Sequence, residues 1–177
     1  MDVYYKKLEL PAGTALAAST SNGITRLELK AGSLDAWLAR LAEEFGGMPV
    51  EGGRPFERLE EELKLYFSGR LRVFTVRLDV HGTPFQERVW RALMSVPYGD
   101  VVTYGELAVM AGVPGAARAV GGAMNRNRVP IVIPCHRVVA AGGKIGGYGG
   151  GLDIKRALLD IEGVRPPYGR VRSLEAA

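Results

Sequence analysis

A single cysteine stands in the 177 residues, inside the run Ile133-Pro134-Cys135-His136-Arg137-Val138-Val139. One thiol admits no intrachain disulfide. One Cys with two His residues is too few for a structural zinc site, so no metal is expected. A lone cysteine is either an inert buried hydrophobe or a nucleophile, and three neighbours favour the nucleophile. Pro134 fixes the backbone just before the thiol. His136 supplies a base or cation that favours the thiolate, and Arg137 adds charge of the same sign. An unperturbed thiol is only a few per cent ionised at neutral pH, so nucleophilic work requires such help.

On an extended run the side chains of Cys135 and His136 would point to opposite faces. Contact between them then needs a local bend, or a water that passes the proton. A third group should hold the imidazole in its useful tautomer. Asp160 and Glu162, near the end of a helix predicted over 152–161, are the candidate acids. Glu162 is our choice of the two, and spacing alone does not decide it. Downstream, Gly142-Gly143, Gly146-Gly147 and Gly149-Gly150-Gly151 surround one aromatic, Tyr148. No Gly-Lys-Ser/Thr follows, which argues against a nucleotide loop. The segment reads as a flexible wall bringing Tyr148 and bare backbone N–H groups to a planar ligand; a surface loop without a ligand is the alternative.

Hydrophobic periodicity outlines the scaffold. Residues 1–10 and 14–30 read as strands, with Ser21-Asn22-Gly23 as a hairpin turn. A helix runs from Ser33, its N-cap, to Phe45 with Leu34, Trp37, Leu38, Leu41, Ala42 and Phe45 on one face. A second, from about Pro55 to Phe67, buries Phe56, Leu59, Leu63 and Tyr66 and turns Glu57, Glu60, Glu61 and Glu62 to water. Residues 71–80 alternate as a strand. Past His81-Gly82, Thr83-Pro84-Phe85-Gln86 is a capping box that opens a helix with the stripe Phe85, Val89, Leu93 and Met94; Trp90 is read as core. Tyr98-Gly99-Asp100 is a turn, and Ile131-Val132-Ile133 reads as a short buried strand. The expected class is α+β: a small α/β N-terminal scaffold domain, residues 1–80, and a mainly helical C-terminal domain, residues 81–177, that carries the cysteine.

Thr103-Tyr104-Gly105-Glu106 is a second capping box, opening a short helix that Gly112 closes. After Val113-Pro114-Gly115 another helix runs from about Ala116 to Met124, and the pair suggests a helix-turn-helix. Ala117, Ala119, Gly121 and Gly122 leave its second helix slim, with Arg118 as its one long cation. A reader of major-groove bases would need several polar side chains; a slim helix suits close approach to the minor groove. Tight packing on the protein's own core is the alternative. Charge adds weight to DNA. Residues 1–80 hold 11 basic and 12 acidic groups, residues 81–177 hold 12 and 7, and no acid lies between Glu106 and Asp153. Arg118, Arg126, Arg128, Arg137 and Lys144 all fall in that gap. Cations unopposed by neighbouring carboxylates suit a polyanion, unless acids from elsewhere in the fold answer them. No stretch approaches the roughly 18 apolar residues of a membrane span, and the N-terminus lacks a signal layout. A cytoplasmic location is expected, nuclear in a eukaryote.

From about Thr83 to Gly163 the chain resembles the O6-alkylguanine-DNA alkyltransferases. The likeness runs through Tyr104, Ala116–Met124, Asn127, the Ile133–Val139 run and Tyr148; the first 80 residues match only in size and general pattern. The resemblance implies repair by base flipping in duplex DNA, with an alkyl group passing irreversibly from O6-alkylguanine, or from O4-alkylthymine as an alternative substrate, to Cys135. Arg118 would fill the gap in the base stack and Tyr104 would help rotate the nucleotide out and protonate N3 of the leaving guanine. Met124 and Tyr148 would sandwich the base. Backbone carbonyls of Cys135 and Val138 would accept from its exocyclic amine, and the Gly149 N–H would meet O6. Glu162, His136 and a bridging water would draw off the thiol proton, while Asn127 braces the backbone. Gly149 stands where some relatives carry a hydroxyl side chain, and the zinc ligands that some relatives hold in the first domain are missing. Such a protein would act once, as a monomer, with several copies able to crowd along DNA. The competing class is a helix-turn-helix protein that binds the lesion or regulates without chemistry. A cysteine hydrolase would leave the basic surface without a purpose.

Overall fold

The structure, a computed structural model, describes residues 1–169. Helices and strands mix in an α+β chain that divides into two compact units. One is Met1–His81 with Arg128–Pro130; the other is Gly82–Asn127 with the chain from Ile131 onward. Among the described residues no helix is long and apolar enough to cross a membrane.

In the first unit β1 (Tyr4–Leu10) and β2 (Gly13–Ser19) pair antiparallel, and β2 turns through Ser21-Asn22-Gly23 into β3 (Ile24–Leu29). A Cβ on Gly23 would lie 2.6 Å from the Arg77 carbonyl oxygen, so only glycine lets that segment come so close. Ser33 caps α1 (Leu34–Phe45) by accepting from the Ala36 N–H, and Gly46 ends it in a left-handed conformation. Trp37 and Leu41 of α1 pack on Val3, Leu16 and Ala18. A two-residue strand, β4 (Val50–Glu51), completes the order β3-β2-β1-β4 and lies parallel to β1, an edge too short to leave a periodic signal. Helix α2 (Pro55–Phe67) buries Phe56, Leu59, Leu63 and Tyr66 and contacts β1 and β2. Residues Ala15 to Ser19 are buried without alternation, as in a strand covered on both faces.

Two expectations fail here for one reason. Glu62 does not face water; it is buried, and its carboxylate accepts from the backbone N–H groups of Thr75 and Val76 at 3.0–3.1 Å. Residues 71–80 are therefore not a strand. A side-chain carboxylate takes the place of a ladder partner, and only Leu78 makes an isolated parallel bridge, to Ile24.

In the second unit α3 (Pro84–Met94) starts on the Thr83/Gln86 capping box. Val89, Trp90 and Leu93 are buried, and the Trp90 indole donates to the Ala123 carbonyl at 2.9 Å. Met94, expected in that stripe, is 53% exposed, because the buried face centres on Trp90 and Leu93. Strands β5 (Val102–Thr103) and β6 (Val138–Val139) pair in parallel. The Thr103/Glu106 capping box opens α4 (Tyr104–Met110), and after the Gly112 turn α5 (Ala117–Asn125) packs on α3 and α4. Helix α6 (Leu152–Ile161) buries Leu158 and Leu159, the latter in a cluster with Val101, Val139, Val164 and Tyr168. Ile131-Val132-Ile133 is buried, but as a turn rather than a strand: Ile131 has φ 74°, which a β-branched residue rarely adopts. A short apolar run signals burial, not strand pairing.

Candidate active site

Cys135 begins a single 3-10 turn, Cys135–Arg137, rather than lying on an extended strand. Pro134, at φ −83° and ψ 63°, makes the tight bend before it, closed by the Cys135 N–H on the Ile133 carbonyl at 2.8 Å. Successive side chains on such a turn diverge by about 120°, so Cys135 and His136 face different surroundings. The Asn127 amide nitrogen donates to the Ile133 carbonyl at 2.9 Å and to the Cys135 sulfur at 3.1 Å, bracing thiol and backbone together. Burial pushes the thiol up; the Asn127 hydrogen bond, the Lys155 charge and the Tyr148 hydroxyl offset part of that rise. Burial thus works against the thiolate that His136 and the surrounding charge are expected to favour.

His136 is fully buried and its Nε2 lies 2.7 Å from Glu162 Oε1. A carboxylate only accepts, so Nε2 carries the proton and Nδ1 carries the lone pair of the neutral ring. Burial lowers the imidazole pKa, with Glu162 working against it. Glu162 is the C-cap of α6, the wrong end of a helix for an anion. It is held there by the Arg137 guanidinium at 2.9 Å through both Nε and Nη2, and by the Gly99 N–H at 3.1 Å. Burial raises its pKa, but the His136 and Arg137 hydrogen bonds and charges prevail and hold it at about 2. Glu162 therefore orients the imidazole and is not itself a proton acceptor near neutral pH. Asp160, the alternative, lies outside this network and pairs with Arg165.

Arg137 has a different role from the one its sequence context suggests. It is buried against Glu162 and the Val96 carbonyl (2.7 Å), over the Tyr98 ring, so it is neither a DNA cation nor a direct partner of the thiol.

On its other side the sulfur lines a narrow pocket of about 140 Å³ with Tyr104, Gly121, Met124, Asn125, Gly147, Tyr148 and Gly149. The structure thus brings together six of the residues singled out in sequence: Cys135, Tyr104, Gly121, Met124, Tyr148 and Gly149. Cys135 itself is 7% exposed and lines that opening. The Tyr148 hydroxyl is buried beside the sulfur, and burial followed by that neighbour raises its pKa well above the ordinary value. The Tyr104 hydroxyl lies against Gly146, where a Cβ would come within 3.2 Å of it. The carbonyls of Cys135 and Val138 accept from the Val138 N–H and from Lys155, which leaves each a second lone pair. Val138 is buried below the pocket and does not line it.

Lys155 was missed in sequence. It donates to three backbone carbonyls at the site, and the clue was a lysine among Ile154, Leu158 and Leu159 on the inner face of α6. Of the other positively charged candidates, Arg118 on α5 and Arg126 just past it are exposed, as is Lys144, while Arg128 pairs with Glu44 at 2.8 Å in the first unit. Ala117 opens α5 and is partly exposed.

Residues 84–164 match the family described as 6-O-methylguanine DNA methyltransferase, DNA binding domain. A methylated-DNA–protein-cysteine methyltransferase of Mycobacterium tuberculosis is 40% identical over 165 residues, which cover 93% of this chain and 95% of that protein. The Methanosarcina acetivorans protein of the same name is 42% identical over 166 residues, covering 91% and 99%. A crystal structure of Mycobacterium tuberculosis OGT in complex with DNA matches with a TM-score of 0.78 at 41% identity, covering 90% of this chain and 92% of that one.

Proposed function

Because the chain belongs to the methylated-DNA–protein-cysteine methyltransferases, enzymes that repair DNA by direct alkyl transfer, we propose that it moves the alkyl group of O6-alkylguanine in duplex DNA onto Cys135. The observation that carries this reading is a sulfur with two sides. One side opens on a pocket between Met124 and Tyr148, and behind the 3-10 turn stands the chain His136–Glu162–Arg137.

Helices α4 and α5 act as a helix-turn-helix of the 82-onward domain, with the first 81 residues as scaffold. The slim face of α5 at Ala117 and Gly121 approaches the minor groove. Arg118 fills the space of the extruded nucleotide, Tyr104 assists its rotation, and Arg126 meets a phosphate; Arg128, already paired with Glu44, is the weaker contact. Extrusion costs a few kcal/mol, least for a weakly paired lesion, which favours damaged sites. The base stacks between Met124 and Tyr148. Its exocyclic amine donates to the remaining lone pairs of the Cys135 and Val138 carbonyls, and O6 takes the Gly149 N–H.

The proton of Cys135 passes to Nδ1 of His136 by way of a water, and Asn127 holds the sulfur in line. A raised thiol and a lowered imidazole make that transfer uphill at rest, so it proceeds together with attack on the alkyl carbon. The S–C bond forms as the C–O6 bond breaks, and Tyr104 protonates N3 of the departing guanine. The thioether is stable, so each monomer acts once, without a cofactor, in the cytoplasm or a eukaryotic nucleus. Incubation with an oligonucleotide bearing O6-methylguanine should add one methyl group, found by mass spectrometry on the Cys135 peptide. An unmodified thiol on folded protein would refute the reading. Cys135→Ala should bind without transfer, which separates an enzyme from a lesion-binding or regulatory protein.

A further inference from the structure

Seven of the ten residues from Gly142 to Gly151 are glycine, yet this segment forms the pocket wall that carries Tyr148 and Gly149. Ordering glycine costs more conformational entropy than ordering any other residue, so such a wall stands only where other elements hold it. Lys155 takes the carbonyls of Ile145 and Gly147 from one side, and from another the Tyr168 N–H donates to the Gly143 carbonyl at 3.0 Å. The transfer scheme gives Tyr168 no part. Arg165, Pro166, Pro167 and Gly169 are exposed, and Tyr168 among them is buried. After α6 the chain turns back at Gly163, with the Val164 N–H on the Leu159 carbonyl at 2.8 Å. Val164 and Tyr168 then enter one apolar cluster with Val101, Val139 and Leu159, and Ile145 of the wall packs against it. Pro167 passes so close to the wall that a Cβ on Gly143 would lie 3.0 Å from the Pro167 Cβ. We propose that Tyr168 is a positioning residue for alkyl transfer: its buried ring anchors the chain after α6, and that chain holds the base of the wall so that Tyr148 and Gly149 stand against Cys135.

The proposal rests on the reading of that pocket as the seat of the extruded base. Ring and N–H belong to the same residue, so burying the ring of Tyr168 fixes the donor that holds Gly143, five residues before Tyr148. Without the ring, the exposed run around Tyr168 loses its apolar anchor and Gly143 loses a fixed donor. The wall is then tied at Ile145 and Gly147 but loose at its base, and the Tyr148 ring and the Gly149 N–H spread over a range of positions. A misplacement of about 1 Å near the reacting atoms can cost about 100-fold in rate. The anchor is apolar burial, so a phenylalanine ring should serve as well as tyrosine. The cluster and the hydrogen bond that hold Tyr168 include no residue of α5, so contact with undamaged duplex through Arg118 does not depend on them.

Tyr168→Ala removes the anchor, Tyr168→Leu keeps part of it should the alanine variant fail to fold, and Tyr168→Phe keeps the ring. Each is compared with wild type after a thermal melt to confirm folding. The first measurement is hydrogen exchange at the Ala140 and Gly151 amides, which bond to the Lys144 and Tyr148 carbonyls of the wall at 2.9 and 3.1 Å. In Tyr168→Ala these should exchange about tenfold faster, while the amides of α3 keep their rates. The second is a time course of methyl transfer to Cys135 with O6-methylguanine duplex in excess. Transfer should slow about tenfold at full amplitude, with affinity for undamaged duplex unchanged. A merely destabilised protein would lose amplitude and keep its rate. Tyr168→Phe should match wild type in both measurements. Wall exchange or a transfer rate equal to wild type in folded Tyr168→Ala, or in Tyr168→Leu where alanine does not fold, overturns the proposal. A wild-type protein that takes no methyl group from the duplex would overturn the functional reading instead, and wall exchange would still judge the anchor.

Discussion

His136 and Glu162 share a hydrogen bond, yet one stays neutral and the other ionised. Burial keeps the imidazole neutral and able to take a proton, while the hydrogen bonds from His136 and Arg137 keep Glu162 ionised down to about pH 2. Both shifts bear on stability in the same direction. Glu162 is a stronger acid folded than unfolded, so it contributes about 3 kcal/mol above its ordinary pKa of 4.5, lost as pH falls toward 2. His136 is a weaker base folded than unfolded, so protonation of the unfolded chain below its ordinary 6.5 also favours unfolding. Urea unfolding followed from pH 7 to 3 should show stability declining from about 6.5 downward. Glu162→Gln strands the buried Arg137 charge and should destabilise by about 3–5 kcal/mol at pH 7 and slow transfer. Its deficit should narrow in acid as wild type loses the same anion, and a deficit constant from pH 7 to 3 would show that Glu162 is not the titrating group. The residue types of this cluster were legible in sequence, but the choice of Glu162 over Asp160 needed the fold. The partnership of Arg137 was not legible, because it depends on the Tyr98-Gly99 turn and the end of α6 meeting over 60 residues apart.

Elements announced by local chemistry matched the structure closely. The capping boxes at Thr83 and Thr103, the Ser33 cap and the Gly112 turn are satisfied within a few residues, so their ends were readable one stretch at a time. Residues 71–80 were not, because their backbone is satisfied by a carboxylate from another element. The small residues of α5 are open to two uses, packing or DNA approach, and Arg118 distinguishes them. Arg118→Ala should weaken binding to an O6-methylguanine duplex about tenfold, near 1.4 kcal/mol, and binding to undamaged duplex by less than half that energy. Equal losses in a fluorescence-anisotropy titration would reduce Arg118 to a phosphate contact.

The acid-free stretch from Glu106 to Asp153 overstates the charge available to a polyanion. Arg137 is neutralised inside by Glu162 and Arg128 is answered by Glu44, which leaves Arg118, Arg126 and Lys144 exposed. If these three meet phosphates, log affinity for duplex DNA should fall against log salt with a slope of about −3. A slope near zero in titrations from 50 to 300 mM salt would contradict the electrostatic reading. The same count explains why net charge alone, +4 over the chain, is a poor guide to the binding surface.

The sequence by itself determined the helices around Cys135 and the family, because helix caps, glycine turns and the Ile133–Val139 run act over a few residues. Tertiary structure alone decided that burial opposes ionisation of the thiol, that Glu162 is held by His136 and Arg137 together, and that a buried lysine binds the pocket wall. Those outcomes depend on burial and on charges brought together across long stretches of chain, and neither desolvation nor distance is written in the order of the residues.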